Sequence, residues 1–495
     1  MSLSTLAEAG IAPAPDLRHR AVEGAFWNIS FALMNKGVTL AGQLALAWLL
    51  MPADIGLANM AQAMAVLAAF LSVEGLGDIL LQRGAYDREA GQALWLALAC
   101  TTLMSLVIVG LAFFSPLFGK PGLRPLLALL ALATLIAFPA AILSAGLKKK
   151  LDFKGLAIAH FWGGLAYTST AVLLAKGGWV AEALIAAIIP QQLAIMGSIL
   201  RRGVRPPFKF PQQALMKALL RPTFALSSSG FFLALQVQGP IFACGLALSS
   251  DGVGIFSWGW AVAGQAVFLL ATNLREVLLP VFIRLKDDPA HRAVKALKAA
   301  RVITALLCVA CGTQALLAAP LIRLFLPEKW SPAVPVVILA SLGLTLQGLG
   351  IAGMAWMTAC GRYRALFKLS ALQAALAIGL TWAGAQWAGP TGAAAGFAMA
   401  TLLGSLASVL PMGWRWLLAE SGTWWRPLAS SLAIWSLCAL ASRGQGTAVQ
   451  LIAAAIYLGL SAWLWWLDAD SDLGSLLIGL SAALSGRRAR APTAP

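Results

Sequence analysis

A chain of 495 residues that is 60% hydrophobic and only 11% charged does not describe a soluble protein, since soluble domains run at about 45–50% apolar and about 25% charged. Its net charge of +17, from 36 Lys and Arg against 19 Asp and Glu, would in a soluble chain point to nucleic acid. Here the basic residues lie between apolar blocks, where they anchor and orient membrane spans, so nucleic acid is not expected as a partner and secreted, disordered and cytosolic-enzyme classes fall away.

Residues 1–20 form an Ala/Pro-rich tail, with Arg18 and Arg20 just ahead of the first apolar block and no signal-peptide pattern. A spanning helix needs about 20 apolar residues. In chain order the blocks long enough are Ala25–Leu50, Leu57–Leu80, Gly91–Phe114, Leu123–Leu147, Gly155–Ala175, Trp179–Leu200, Leu219–Leu248 and Val253–Phe282. After them come Ala299–Leu326, Val334–Ala359, Ala365–Trp387, Gly389–Trp414, Arg426–Ser442 and Thr447–Leu467. The reading is an all-α polytopic membrane protein of about 14 spans, because continuous apolar blocks lack the period of two that a β-barrel requires. Tryptophans at block ends, including Trp179, Trp330, Trp414 and Trp466, are expected to form interfacial belts. Pro139, Pro190, Pro240 and Pro280 fall inside spans, where each removes a backbone donor and permits a bend. Gly239-Pro240, preceded by Gln236 and Gln238, is the candidate hinge.

Lys and Arg in short loops set topology. With a cytoplasmic N-terminus, 28 of them fall on the cytoplasmic side and 6 opposite, leaving Lys36 and Arg275 within spans. Both termini then face the cytoplasm. Sliding the sequence on itself by 198 residues places Gly56-Leu57-Ala58 on Gly254-Ile255-Phe256, and Leu76-Gly77-Asp78 on Leu274-Arg275-Glu276. That repeat predicts two pseudo-symmetric six-helix bundles, 21–205 and 206–420, followed by two extra helices and a cytoplasmic tail over 421–495.

An ionisable group deep in a span is costly and marks a functional site by default. Lys36 lies near the middle of the first span, and Asn28, Asn35 and Gln43 continue a polar stripe beside it. The stripe reads either as one wall of an aqueous cavity or as part of an ion pair between Lys36 and Glu74 or Asp78. Arg275 lies in the inner third of the eighth span, near Asn273. Glu74, Asp78 and Glu276 either bind a coupling cation or pair with neighbouring bases such as Arg83 and Arg284. His160 reads as a hydrogen-bonded core residue. Cys308 and Cys311 form a C-x-x-C with no second pair or nearby His to complete a metal site, so neither a metal nor a cofactor is expected. The basic runs Lys148–Lys154 and Arg201–Arg221 are expected to lie along an anionic leaflet.

Several segments together carry a family resemblance: Pro52-Ala53-Asp54-Ile55-Gly56, Gly75-Leu76-Gly77-Asp78 through Leu81-Gln82-Arg83, Leu147–Lys154, and Asp251-Gly252-Val253-Gly254-Ile255-Phe256. The chain resembles the bacterial Wzx-type oligosaccharide and polysaccharide flippases of the multidrug/oligosaccharidyl-lipid/polysaccharide exporter superfamily. The resemblance implies a non-enzymatic transporter in the bacterial inner membrane. It would carry an undecaprenyl-diphosphate-linked sugar from the cytoplasmic to the periplasmic leaflet by alternating access, with membrane lipids and polysaccharide assembly proteins as further partners. It also implies cationic groups on the first and eighth helices facing the lipid diphosphate, the places of Lys36 and Arg275. A cation-coupled drug exporter of the same superfamily and a membrane polysaccharide polymerase or ligase are the alternatives. The first would want an acidic cavity, and the second a large outer loop.

Overall fold

The computed structural model describes residues 31, 34–66, 75–120, 122–205, 210–284, 289–412 and 421–467. Among them the chain is helical throughout, with no strand, and it divides into two compact units, Met1–Gln238 and Gly239–Pro495.

In the first unit, α1 (residues 34–49) is followed by α2 (Pro52–Ala65), α3 (Leu76–Gln82), α4 (Tyr86–Phe114), α5 (Leu123–Ile136) and α6 (Ala140–Lys149). Next come α7 (Phe153–Lys176), α8 (Ala181–Ala186), α9 (Ile188–Arg201) and the long α10 (Gln213–Ala247), within which the first unit ends. The second unit holds α11 (Ser250–Arg284), α12 (Pro289–Phe325), α13 (Ala333–Leu344), α14 (Gln347–Ala359), α15 (Tyr363–Val409), α16 (Ser421–Ala441) and α17 (Thr447–Leu467). Among the described residues, six helical stretches are long and apolar enough to cross a membrane, or seven if α13 and α14 count as one bent span.

Proline positions explain several helix ends. The predicted fourth span is interrupted at Ala137-Phe138-Pro139, dividing α5 from α6. Pro190 sits in the first turn of α9, where a missing N–H costs little. The predicted tenth span has its proline, Pro335, only in the first turn of α13, yet it bends by 41° between α13 and α14. There the Thr345 hydroxyl donates to the Leu342 carbonyl at 2.7 Å, offering the backbone a local alternative to the helix ladder. A Cβ on neighbouring Gly343 would come within 2.5 Å of Ala398 Cα.

The long α15 contains the predicted eleventh and twelfth spans as two legs. Ala388 and Gly389 leave helical geometry, Gly389 at φ 62° where a side chain would strain, and Pro390 restarts the helix. A Cβ on Gly384 would collide with the Gly392 carbonyl, and one on Gly396 with the Leu380 carbonyl. Gln373 donates to the Gly404 carbonyl at 3.0 Å. Paired positions that converge on residue 388 mean that the legs run antiparallel. Small residues let their backbones touch, which is how helices associate without a hydrophobic drive.

The same principle organises the rest of the second unit. A Cβ on Gly353 would meet the Ser408 carbonyl at 2.6 Å, and one on Gly239 would meet Ile378 at 2.6 Å. Tyr457 of α17 reaches α12, donating to the Cys308 carbonyl at 2.7 Å. Trp330, expected at an interface, is fully buried and packs against Trp258 with ring centroids 4.8 Å apart. In the first unit, Leu76, Leu80, Tyr86, Ala93, Ile142 and Leu219 form one core cluster, and Leu143, Leu147, Ile195 and Ile199 a second. α2 begins at Pro52 and α11 at Ser250, 198 residues apart.

Candidate functional site

Lys36 lies on α1, half-buried, and none of the described residues forms an ion pair with it. Its neighbour Asn35 faces α7. The Asn35 Oδ1 is buried without a hydrogen-bond partner among the described residues, and it rests where a Cβ on Gly164 would have to sit. One turn on, the Thr39 hydroxyl donates to the Asn35 carbonyl at 2.8 Å, and Gly42 lies against Thr168. Phe31 and Phe161 have ring centroids 5.8 Å apart at the start of the same seam. The pairs 31/161, 35/164 and 42/168 ascend together, so α1 and α7 run parallel. A buried amide oxygen left unpaired costs about 1–3 kcal/mol. Asn28 and Glu74 lie outside the described residues. Gly164 and Thr168 were not singled out by sequence reading, although the pair Gly163-Gly164 inside an apolar block signals a close helix approach.

The expected carboxylate pairing is corrected. Asp78 does not go to Arg83 or Lys36; it accepts from Lys148 at 3.0 Å, with both side chains about half exposed. Arg83 instead bonds Glu89 at 3.2 Å and the Ala218 carbonyl at 3.4 Å. Glu89 is 1% exposed, and its second oxygen has no partner among the described residues. An acid this deeply buried is held by its bases, with Arg88 4.0 Å away. Next to it, buried Gln92 clamps the segment that leads into α10. Its amide nitrogen donates to the Phe210 carbonyl at 2.7 Å, and its oxygen accepts from the Gln212 N–H at 2.7 Å.

The basic run after α6 is likewise tied to protein. Lys149 pairs with Asp87, and Lys150 donates to the Gly203 carbonyl at 3.1 Å. Asp152 caps α7 by accepting from the Gly155 N–H at 2.7 Å, and it pairs with Arg202 at 2.9 Å. His160 is exposed rather than a hydrogen-bonded core residue, and so corrects the expectation.

In the second unit α11 carries Arg275 and Glu276 on its backbone, while their side chains, like that of Arg284, lie outside the described residues. Gln265 on the same helix has a buried side-chain oxygen with no partner among the described residues. Gly239 and Pro240 lie within an unbroken stretch of α10. Cys308 and Cys311 are buried free thiols, and the described residues hold no cluster with metal-ligand composition.

Comparisons with known proteins now bear on this arrangement. The profile described as "Polysaccharide biosynthesis protein" matches residues 45–335. The lipopolysaccharide biosynthesis protein WzxC of Escherichia coli (strain K12) is 23% identical over 417 residues, covering 80% of this chain and 81% of the relative. Among solved structures, the lipid II flippase MurJ in an inward closed conformation superposes with a TM-score of 0.64 at 13% identity, covering 89% of this chain and 99% of that one. An inward-facing multidrug resistance MATE family transporter of the MOP superfamily gives a TM-score of 0.63 at 13% identity, covering 80% and 99%. Both likenesses are of fold.

Proposed function

The chain belongs to the polysaccharide biosynthesis protein family, and on that premise we propose that it flips a lipid-diphosphate-linked oligosaccharide, of the undecaprenyl-diphosphate type, from the cytoplasmic to the periplasmic leaflet. On this reading it is a multi-pass inner-membrane transporter of fourteen spans with both termini cytoplasmic, working by alternating access between two six-helix bundles.

The observation that carries the proposal is half-buried Lys36 within the first apolar block, without a counter-ion among the described residues. A lipid diphosphate carries about two negative charges, which cannot cross hydrocarbon bare. Lys36 supplies a compact positive charge on a flexible stem, and Arg275 adds a planar fork that can hold two oxygens at once. The amide nitrogens of Asn35 and Asn28 are the neutral donors of the same site, and Gly239-Pro240, which lie in continuous helix here, are the place where α10 would bend during the cycle. The loaded cavity is close to neutral, while the empty one keeps about two positive charges. A potential negative inside favours returning each full charge by about 2.3 kcal/mol per 100 mV, to the extent that the cations change depth.

The test is flipping of a polyprenyl-diphosphate-linked sugar in reconstituted vesicles. The Lys36→Ala, Arg275→Ala double variant should flip at the protein-free rate, and the intact protein should speed up when a potential negative on the cytoplasmic-equivalent side is imposed. Normal flipping by the double variant would refute the cationic cavity.

A further inference from the structure

A groove of about 600 Å³ runs along the first unit between α7 and α9. Its apolar stretch is made by Trp162 and Leu193, which are 51% and 53% exposed, and its floor opens at Gly197, where a Cβ would meet nothing within 4 Å. At one end stand Ser198, Arg201 and Arg202. The Arg202 guanidinium is committed to Asp152 at 2.9 Å. Arg201 is exposed, and none of the described residues pairs with it. The groove end therefore carries one uncompensated positive charge next to one hydroxyl, continuous with an apolar trough.

That layout is matched by a molecule with a single negative charge and a hydrocarbon tail. We propose that the groove holds one anionic phospholipid of the surrounding leaflet, its phosphodiester on Arg201 and Ser198 and an acyl chain along Trp162 and Leu193. Charge decides between the two phosphate-bearing lipids at hand. One free arginine balances a phosphodiester, whereas a diphosphate would keep about one charge unmatched. A glycan headgroup would need several polar partners, and among the described residues the groove offers Ser198 and the Trp162 indole N–H besides its arginines. Basic pockets between spanning helices are known places for anionic headgroups, and this volume lies within the range that takes one small ligand.

The test uses full-length protein in detergent and native mass spectrometry with phosphatidylglycerol, phosphatidylethanolamine and undecaprenyl diphosphate as probes. One phosphatidylglycerol should be retained in preference to phosphatidylethanolamine, and Arg201→Gln should weaken it roughly fivefold. Gly197→Leu, which fills open space without changing charge, should remove the bound lipid while leaving the melting temperature in place. Lys176→Gln, at the far end of α7, should bind as the natural protein does. Equal retention of phosphatidylethanolamine, or unchanged retention by Gly197→Leu, would overturn the proposal. So would displacement by undecaprenyl diphosphate at lower concentration than phosphatidylglycerol, which would make the groove a substrate site.

Discussion

The α15 hairpin and the α1–α7 seam are both built on glycine, yet they press different chemistry together. In the hairpin, Gly384, Gly392 and Gly396 bring backbone against backbone, and a long polar side chain that reaches across, Gln373, finds the Gly404 carbonyl at 3.0 Å. In the seam, Gly164 makes room for the Asn35 amide oxygen, which finds no hydrogen-bond partner among the described residues and belongs to the residue just before Lys36. Packing alone accounts for the hairpin, because small residues are what helices in lipid use to approach closely. Packing does not account for the seam, since an apolar side chain of similar size would fill the same space without leaving an oxygen unpaired. On the proposed function, the difference separates a glycine that serves the fold from one that serves a site.

The largest effect is expected where backbone meets backbone. Gly384→Val places two methyls against a carbonyl that has no freedom to move aside, and should destabilise the protein by about 2–3 kcal/mol. Thermal unfolding followed by size-exclusion chromatography reads this as loss of most of the monodisperse protein, with any surviving fraction transporting normally. A stable Gly384→Val protein would mean that the legs of α15 do not touch as described.

Asn35→Leu should do the reverse. Removing a buried unpaired polar group is neutral or stabilising, by up to about 1 kcal/mol, while transport in reconstituted vesicles should fall several-fold. Stability and transport falling in proportion would make Asn35 an ordinary packing residue.

The smallest effect belongs to the corrected ion pair. Asp78 and Lys148 are each about half exposed, and pairs of that kind are worth about 0–1 kcal/mol. A double-mutant cycle with Asp78→Asn and Lys148→Gln should return a coupling below about 1 kcal/mol, with transport little changed. Loss of ion-dependent transport in Asp78→Asn at normal protein levels would instead make the carboxylate a coupling site.

What could be read from the sequence follows the physics of each signal. A lysine in the middle of the apolar block Ala25–Leu50 is conspicuous because hydrocarbon makes it costly, and Ala388-Gly389-Pro390 stands out as a turn between two apolar legs. The bend at Thr345 was not legible, because a threonine hydroxyl bonding to its own helix looks the same in sequence whether or not the helix breaks. Trp330 follows a charged Glu328-Lys329 pair and so reads as interfacial, but Trp258 covers it. The partner of Asp78 could not be chosen, because Arg83 is near in sequence while Lys148 is brought near only by α3 packing on α6. There a Cβ on Gly77 would come within 2.8 Å of the Ala141 carbonyl. The Gln92 clamp had no signal at all, since its partners are backbone groups more than a hundred residues away.

The central claim is that Lys36 is retained for its charge rather than for packing. Flipping rate and melting temperature should be measured on the same reconstituted preparations of Lys36→Ala and Lys36→Arg. The account predicts that Lys36→Ala loses at least about tenfold in rate, equivalent to about 1.4 kcal/mol, with its melting temperature unchanged or raised, and that Lys36→Arg keeps most of the rate. Equal flipping by Lys36→Ala and the natural protein, or a loss in Lys36→Ala that tracks a lower melting temperature, would contradict it.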